Sequence, residues 1–160
     1  MRSKLIIVAA ALIGACASDD SMRIHENQAT ALDSASSGDT RQLVTFPEPM
    51  RLHTIASMRD HLLSLQRIDV ALAKVDFVSA SEVAESHLGM SSLEMHGAAH
   101  IAQYMPEGMQ AIGTEMHRAA SRFAIAAENA SVSNDVRPAL AALGEVMQQC
   151  VACHATYRLH

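Results

Sequence analysis

Apolar residues recur at intervals of three and four along four separate stretches of the chain, which restricts it to helix packed on helix. The first stretch covers about residues 49–75, where Leu52, Ile55, Met58, Leu62, Leu65, Ile68 and Leu72 form one stripe and Pro49 suits a first helical position. The second starts near Ser79, which makes a capping-box pattern with Glu82. Either Val83, His87 and Met90 or Ala84, Leu88 and Ser91 face inward there, while Gly89 and Gly97 weaken the helix toward its end. The third follows Pro106, with Met109, Ile112, Met116, Ala119, Phe123 and Ala127 on one face. The fourth starts near Ser133 or Asn134, either able to cap, and tolerates Pro138 in its first turn. Its face carries Leu140, Leu143, Met147, Cys150, Val151 and His154. No stretch alternates with a strand period, and there is neither a GxGxxG run nor a phosphate loop. The expected fold is all-α, an antiparallel four-helix bundle.

Ahead of these stripes the chain reads as an address and a tether. Arg2 and Lys4 precede the apolar run from Leu5 to Ile13, which is short for a membrane-spanning helix and right for a signal peptide. The run closes on Ile13-Gly14-Ala15-Cys16, which resembles a bacterial lipobox, so Cys16 is the expected lipidation site after cleavage of residues 1–15. Multiple acyl chains on Cys16 would anchor the exported protein stably. Ala17 in place of an Asp leans toward the outer membrane. Residues 16–45 are rich in Ser, Asp, Ala and Thr without periodicity, the composition of a flexible tether, and the domain is expected over residues 46–160. Loss of Arg2 and Lys4 leaves 10 basic against 17 acidic residues, a net charge of about −7. No basic block suits nucleic acid.

The remaining cysteines carry the chemistry. Cys150-Val151-Ala152-Cys153-His154 is C-x-x-C-H, the attachment motif for c-type haem. Residues three and four apart share a helical face, so two sulfurs can reach the two vinyl groups of one porphyrin while the His154 imidazole rises to the iron as proximal ligand. A zinc site would need further ligands and no second CxxC exists; a thioredoxin-like site would need a preceding strand.

The carboxy-terminal run Cys150-Val151-Ala152-Cys153-His154-Ala155-Thr156-Tyr157-Arg158, closing four helices, resembles the signature of the cytochrome c′ superfamily. The resemblance covers roughly residues 49–160, and only the C-terminal motif is specific. It implies one haem c held near the end of the last helix, Arg158 near the haem edge, and a distal face supplied by the first helix. If Arg51 matches the family's propionate-facing Arg, the distal position falls on Ile55, with Met58 one turn on. Met58 is the favoured axial ligand, because Met/His ligation suits an electron carrier. Met50, His53 and His61 compete for the role, His61 being read as an exposed neighbour of Arg59 and Asp60. A homodimer through the first two helices is a further implication.

Met90, Met95, His96, His100, Met105, Met109, Met116 and His117 crowd the middle of the chain. Thioethers and imidazoles suit copper, and His96 with His100 would chelate if helical, but core packing explains such methionines equally and copper is not expected. The sequence thus points to a lipid-anchored periplasmic monohaem cytochrome, a one-electron carrier serving periplasmic redox proteins. The alternatives are a five-coordinate haem protein binding nitric oxide or carbon monoxide, and a copper-binding or structural lipoprotein with free thiols. No acid–base pair or activated nucleophile indicates an enzyme.

Overall fold

Two prolines fix where the longest helices begin. In the computed structural model, which describes residues 38–160, Pro47 precedes α1 (Glu48–Ala73), whose first turn contains Pro49. The expected leader (residues 1–15), Cys16 and the tether as far as residue 37 lie outside the described residues. α1 stops because Val75 turns to φ +60°, a left-handed conformation that is costly for a β-branched residue. α2 (Phe77–His87) is capped one turn earlier than expected. The Asp76 side chain, not Ser79, closes it by accepting from the Ser79 N–H at 3.1 Å. A single 3₁₀ turn (Met90–Ser92) follows, and Gly97, at φ +60°, leads into the short α3 (Ala98–Ala102). Pro106 precedes α4 (Glu107–Ser133), which Asn134 ends in the left-handed region. α5 (Arg137–Thr156) begins later than Ser133 or Asn134, with Asp135 accepting from the Arg137 N–H and Pro138 in the first turn.

α4 is the centre of the packing. Its closest neighbours are α5 on one side and α2 on the other, and α1 packs on α2. The contact faces are dominated by small residues: Ala80 and Ala84 of α2, Ala119, Ala120, Ala127 and Ala130 of α4, and Ala139 of α5 are all buried. Small side chains let helix backbones approach at the near end of the usual spacing. Phe123, the largest side chain buried without exposure, shares this cluster with Phe77, Ile68, Leu72, Leu143 and Val146. Ser64 is fully buried on α1, and its hydroxyl has no hydrogen-bond partner. Ser64→Ala is therefore expected to stabilise the fold by about 1 kcal/mol, through the relieved desolvation and the better helix former. Urea unfolding of the two proteins checks it.

One expectation needs correction. The composition of residues 41–45 suggests tether, yet β1 (Gln42–Val44) pairs in parallel with β2 (Tyr157–Leu159), in the register Gln42↔Tyr157, Leu43↔Arg158, Val44↔Leu159. Val44 and Phe46 are buried in a second small cluster with Ile101 and Met109, against which Met50, Cys153, Tyr157 and Leu159 pack. Three residues are too few to display a strand period. The pairing exists because the chain immediately after the C-x-x-C-H helix offers a partner. The folded body consequently runs from Arg41 to His160. No described helix is long and apolar enough to cross a membrane.

Candidate functional site

The apolar stripe of α1 does not behave as a core face along its N-terminal half. The buried positions there are Thr54, His61 and Ser64, whereas Leu62 is 70% and Met58 40% exposed. The stripe looks into a cleft. Ile55, Met58, Leu62 and Leu65 of α1 form one wall, Ile112, Gly113 and Met116 of α4 another, and Cys150, Cys153 and His154 of α5 the third. The cleft, open to solvent on one side, has a volume of about 420 Å³. A second cavity of about 420 Å³ adjoins it, sharing Met58, Gly113, Cys153 and His154. Its remaining walls include Arg41, Met105, Met109, Tyr157, Arg158 and Leu159. Volumes of this order suit small-molecule and cofactor sites, which are largely apolar with a few polar groups at chosen points. Gly113 helps keep the space open, since a Cβ there would meet nothing within 4 Å.

The three residues of the C-x-x-C-H motif therefore share one helical face and one cleft, as their spacing requires. Both thiols are half-buried and not joined in a disulfide; the Cys150 thiol directs its hydrogen to the Val146 carbonyl oxygen at 3.6 Å. Burial pushes both thiols above the ordinary cysteine range, and the nearby Cys150 adds to the shift at Cys153. That is the reverse of a nucleophilic or redox-active CxxC, where the thiolate is favoured. Arg41, a residue assigned to the tether on sequence, donates from Nη1 to the His154 carbonyl oxygen at 3.2 Å and ties the N-terminal segment to the motif.

Across the cleft stand the distal candidates. Met58 lines both cavities, Ile55 only the first. Arg158 lines the second cavity, as its place after the motif suggested. Arg51 does not line either one. It forks onto Glu48, with Nε and Nη2 each 2.7 Å from a carboxylate oxygen, because an acidic residue three positions earlier on the same helix lies within reach. Cations that do line the cavities, and that spacing did not single out, are Arg41 and Arg59.

The middle of the chain also departs from expectation. His96 and His100 cannot chelate as an i, i+4 pair, because Gly97 turns the backbone between them and leaves His96 buried and His100 exposed. His61, read as exposed, is buried, 9% accessible, and meets His96 and His117 instead. The signal for this lay in the α1 sequence: His61 and Ser64, three apart, form a small polar face beside the apolar stripe. Compared with known proteins, the chain matches no family model, no curated protein and no solved structure.

Proposed function

We propose that the chain is a monohaem c-type cytochrome, an exported one-electron carrier whose four longer helices form an antiparallel bundle like that of the cytochrome c′ superfamily. The observation that carries this reading is that Cys150, Cys153 and His154 open into the same cleft as the unburied apolar stripe of α1. A stripe of Ile55, Met58, Leu62 and Leu65 left facing a cavity is unfavourable unless an apolar group covers it. The donor set fits such a group. Two thiols three residues apart can form thioethers, and the adjacent imidazole can ligate iron. Bound there, haem would supply a one-electron iron couple.

The chain's own residues would then have distinct tasks. Cys150 and Cys153 would hold the group to α5 through two thioethers. His154 ligates from the proximal side. Met58, which lines both halves of the divided space, would be the second residue to hold the iron, with Ile55 lining the first half near it. Arg158, Arg41 and Arg59 are the cations placed to meet haem propionates, in place of Arg51. The leader and Cys16 would deliver the domain to the periplasmic side of a bacterial membrane and tether it by lipid, holding it near its redox partners and raising their effective concentration.

Met58→Ala tests the distal assignment. The expected result is conversion of a low-spin spectrum, unchanged by carbon monoxide, into a high-spin one that shifts on carbon monoxide. A spectrum that is high-spin before substitution would move the protein to the gas-binding reading.

A further inference from the structure

Three histidines from three segments meet beside the cleft: His61 of α1, His96 of the loop before Gly97, and His117 of α4. Their ring centroids are 4.6 Å apart for His61 and His96, 5.7 Å for His96 and His117, and 6.0 Å for His61 and His117. All three are buried. We propose that His61, His96 and His117 bind one zinc- or copper-class transition-metal ion, separate from the C-x-x-C-H motif.

The geometry of the nitrogens carries the proposal. Nε2 of His61 and Nε2 of His96 are 3.3 Å apart. Two nitrogens bound to one tetrahedral ion at ~2.0–2.1 Å lie about 3.3 Å from each other. His117 donates from Nδ1 to the Leu88 carbonyl oxygen at 2.7 Å, which places its lone pair on Nε2. An imidazole whose second nitrogen is fixed on a carbonyl is the usual state of a metal ligand. His61 holds a lone pair as well, because burial beside His96 and His117 pushes it down to about 4 and keeps it neutral at pH 7. Asp60, the carboxylate next to His61 in the chain, accepts from His87 Nδ1 at 3.3 Å. The imidazoles line a cavity of about 180 Å³ together with Met58, Met105 and Met116. Imidazole with thioether nearby, and no carboxylate, is a donor set for zinc or copper rather than for magnesium or calcium.

Among the described residues no set of three His, Cys, Asp or Glu already surrounds a common point. His96 Nε2–H donates to the His87 carbonyl oxygen at 2.9 Å. The ion would close the site: His96 releases that carbonyl, its ring changes to the Nδ1–H tautomer as Nε2 gives a proton to solvent and Nδ1 takes one up, and the freed Nε2 lone pair completes the set.

The test titrates the full exported chain with Zn²⁺ and, separately, with Cu⁺ under reductant, after alkylation of any free thiol so that Cys150 and Cys153 do not contribute. One ion of at least one metal per chain is expected, with affinity falling about tenfold or more in His61→Gln and His117→Gln and unchanged in His100→Ala. X-ray absorption of the loaded unmutated chain should count three imidazoles around the ion, a readout independent of how the variants fold. Absence of uptake of either metal, full affinity in both Gln variants, or a shell with fewer than three imidazoles would overturn the proposal. None of these outcomes bears on the haem reading.

Discussion

His154→Ala is expected to abolish the native haem spectrum of the exported protein. His154 sits one residue after Cys153 on α5, in a helix turn whose side chains open into the cleft, and its backbone oxygen is held by Arg41. The imidazole position is therefore set by the helix on one side and by the N-terminal segment on the other. His61 also lines the cleft, but from α1, and no other described histidine lines it from the helix that carries Cys150 and Cys153. Removing His154 should eliminate the low-spin bands altogether rather than weaken them. The helix itself should survive, since alanine is the better helix former and the buried face of α5 is made by Ala139, Leu143 and Val146 further from the motif. A retained native spectrum in His154→Ala, with helicity intact by circular dichroism, would take His154 out of the proximal role.

The second large effect is on stability in mild acid. His61 is held down to about 4 because burial, with His96 and His117 adjacent, penalises its charged form. An unfolded chain frees it to titrate at its ordinary value near 6.5. Above that value neither state binds the proton and pH has no leverage. Between about 6.5 and 4 the unfolded state binds more protons than the folded one, so stability falls as pH falls. The loss amounts to about 2 kcal/mol by pH 5, and His117, also lowered by burial, acts in the same direction. Most carboxylates remain ionised at pH 5, so the window isolates the histidines. Urea unfolding at pH 7.5 and pH 5 should show this loss in the native chain and a clearly smaller one in His61→Gln. Equal stability at the two values, or an equal loss in the variant, would contradict it.

The helical body was legible in the sequence because its stripes are long. Met109, Met116, Ala119, Phe123 and Ala127 on α4 are all buried as their spacing requires. That Cys150, Cys153 and His154 share one helical face and one cleft was legible too, since i, i+3 and i+4 on one helix are fixed neighbours whatever the rest of the chain does. What failed were inferences that depend on tertiary context. The stripe of α1 announces an apolar face but does not say that the face meets a cleft instead of a helix, so Leu62 stands exposed and His61 buried. The strand at Gln42–Val44 exists only because residues 157–159 arrive beside it, and nothing local in three residues encodes that. Arg51 was placed by family analogy; a Glu three residues earlier captured it. The His61–His96–His117 cluster assembles from positions 35 and 21 residues apart, a separation that no local pattern can register.

The most direct measurement is the fate of colour on acid–acetone extraction of the protein exported by a haem-maturing bacterium, with its reduced spectrum recorded beforehand. A reduced c-type spectrum is expected, with red colour that stays with the precipitated chain and no titratable thiol at Cys150 or Cys153. A colourless protein, a pigment that leaves with the acetone, or two reactive thiols would contradict it.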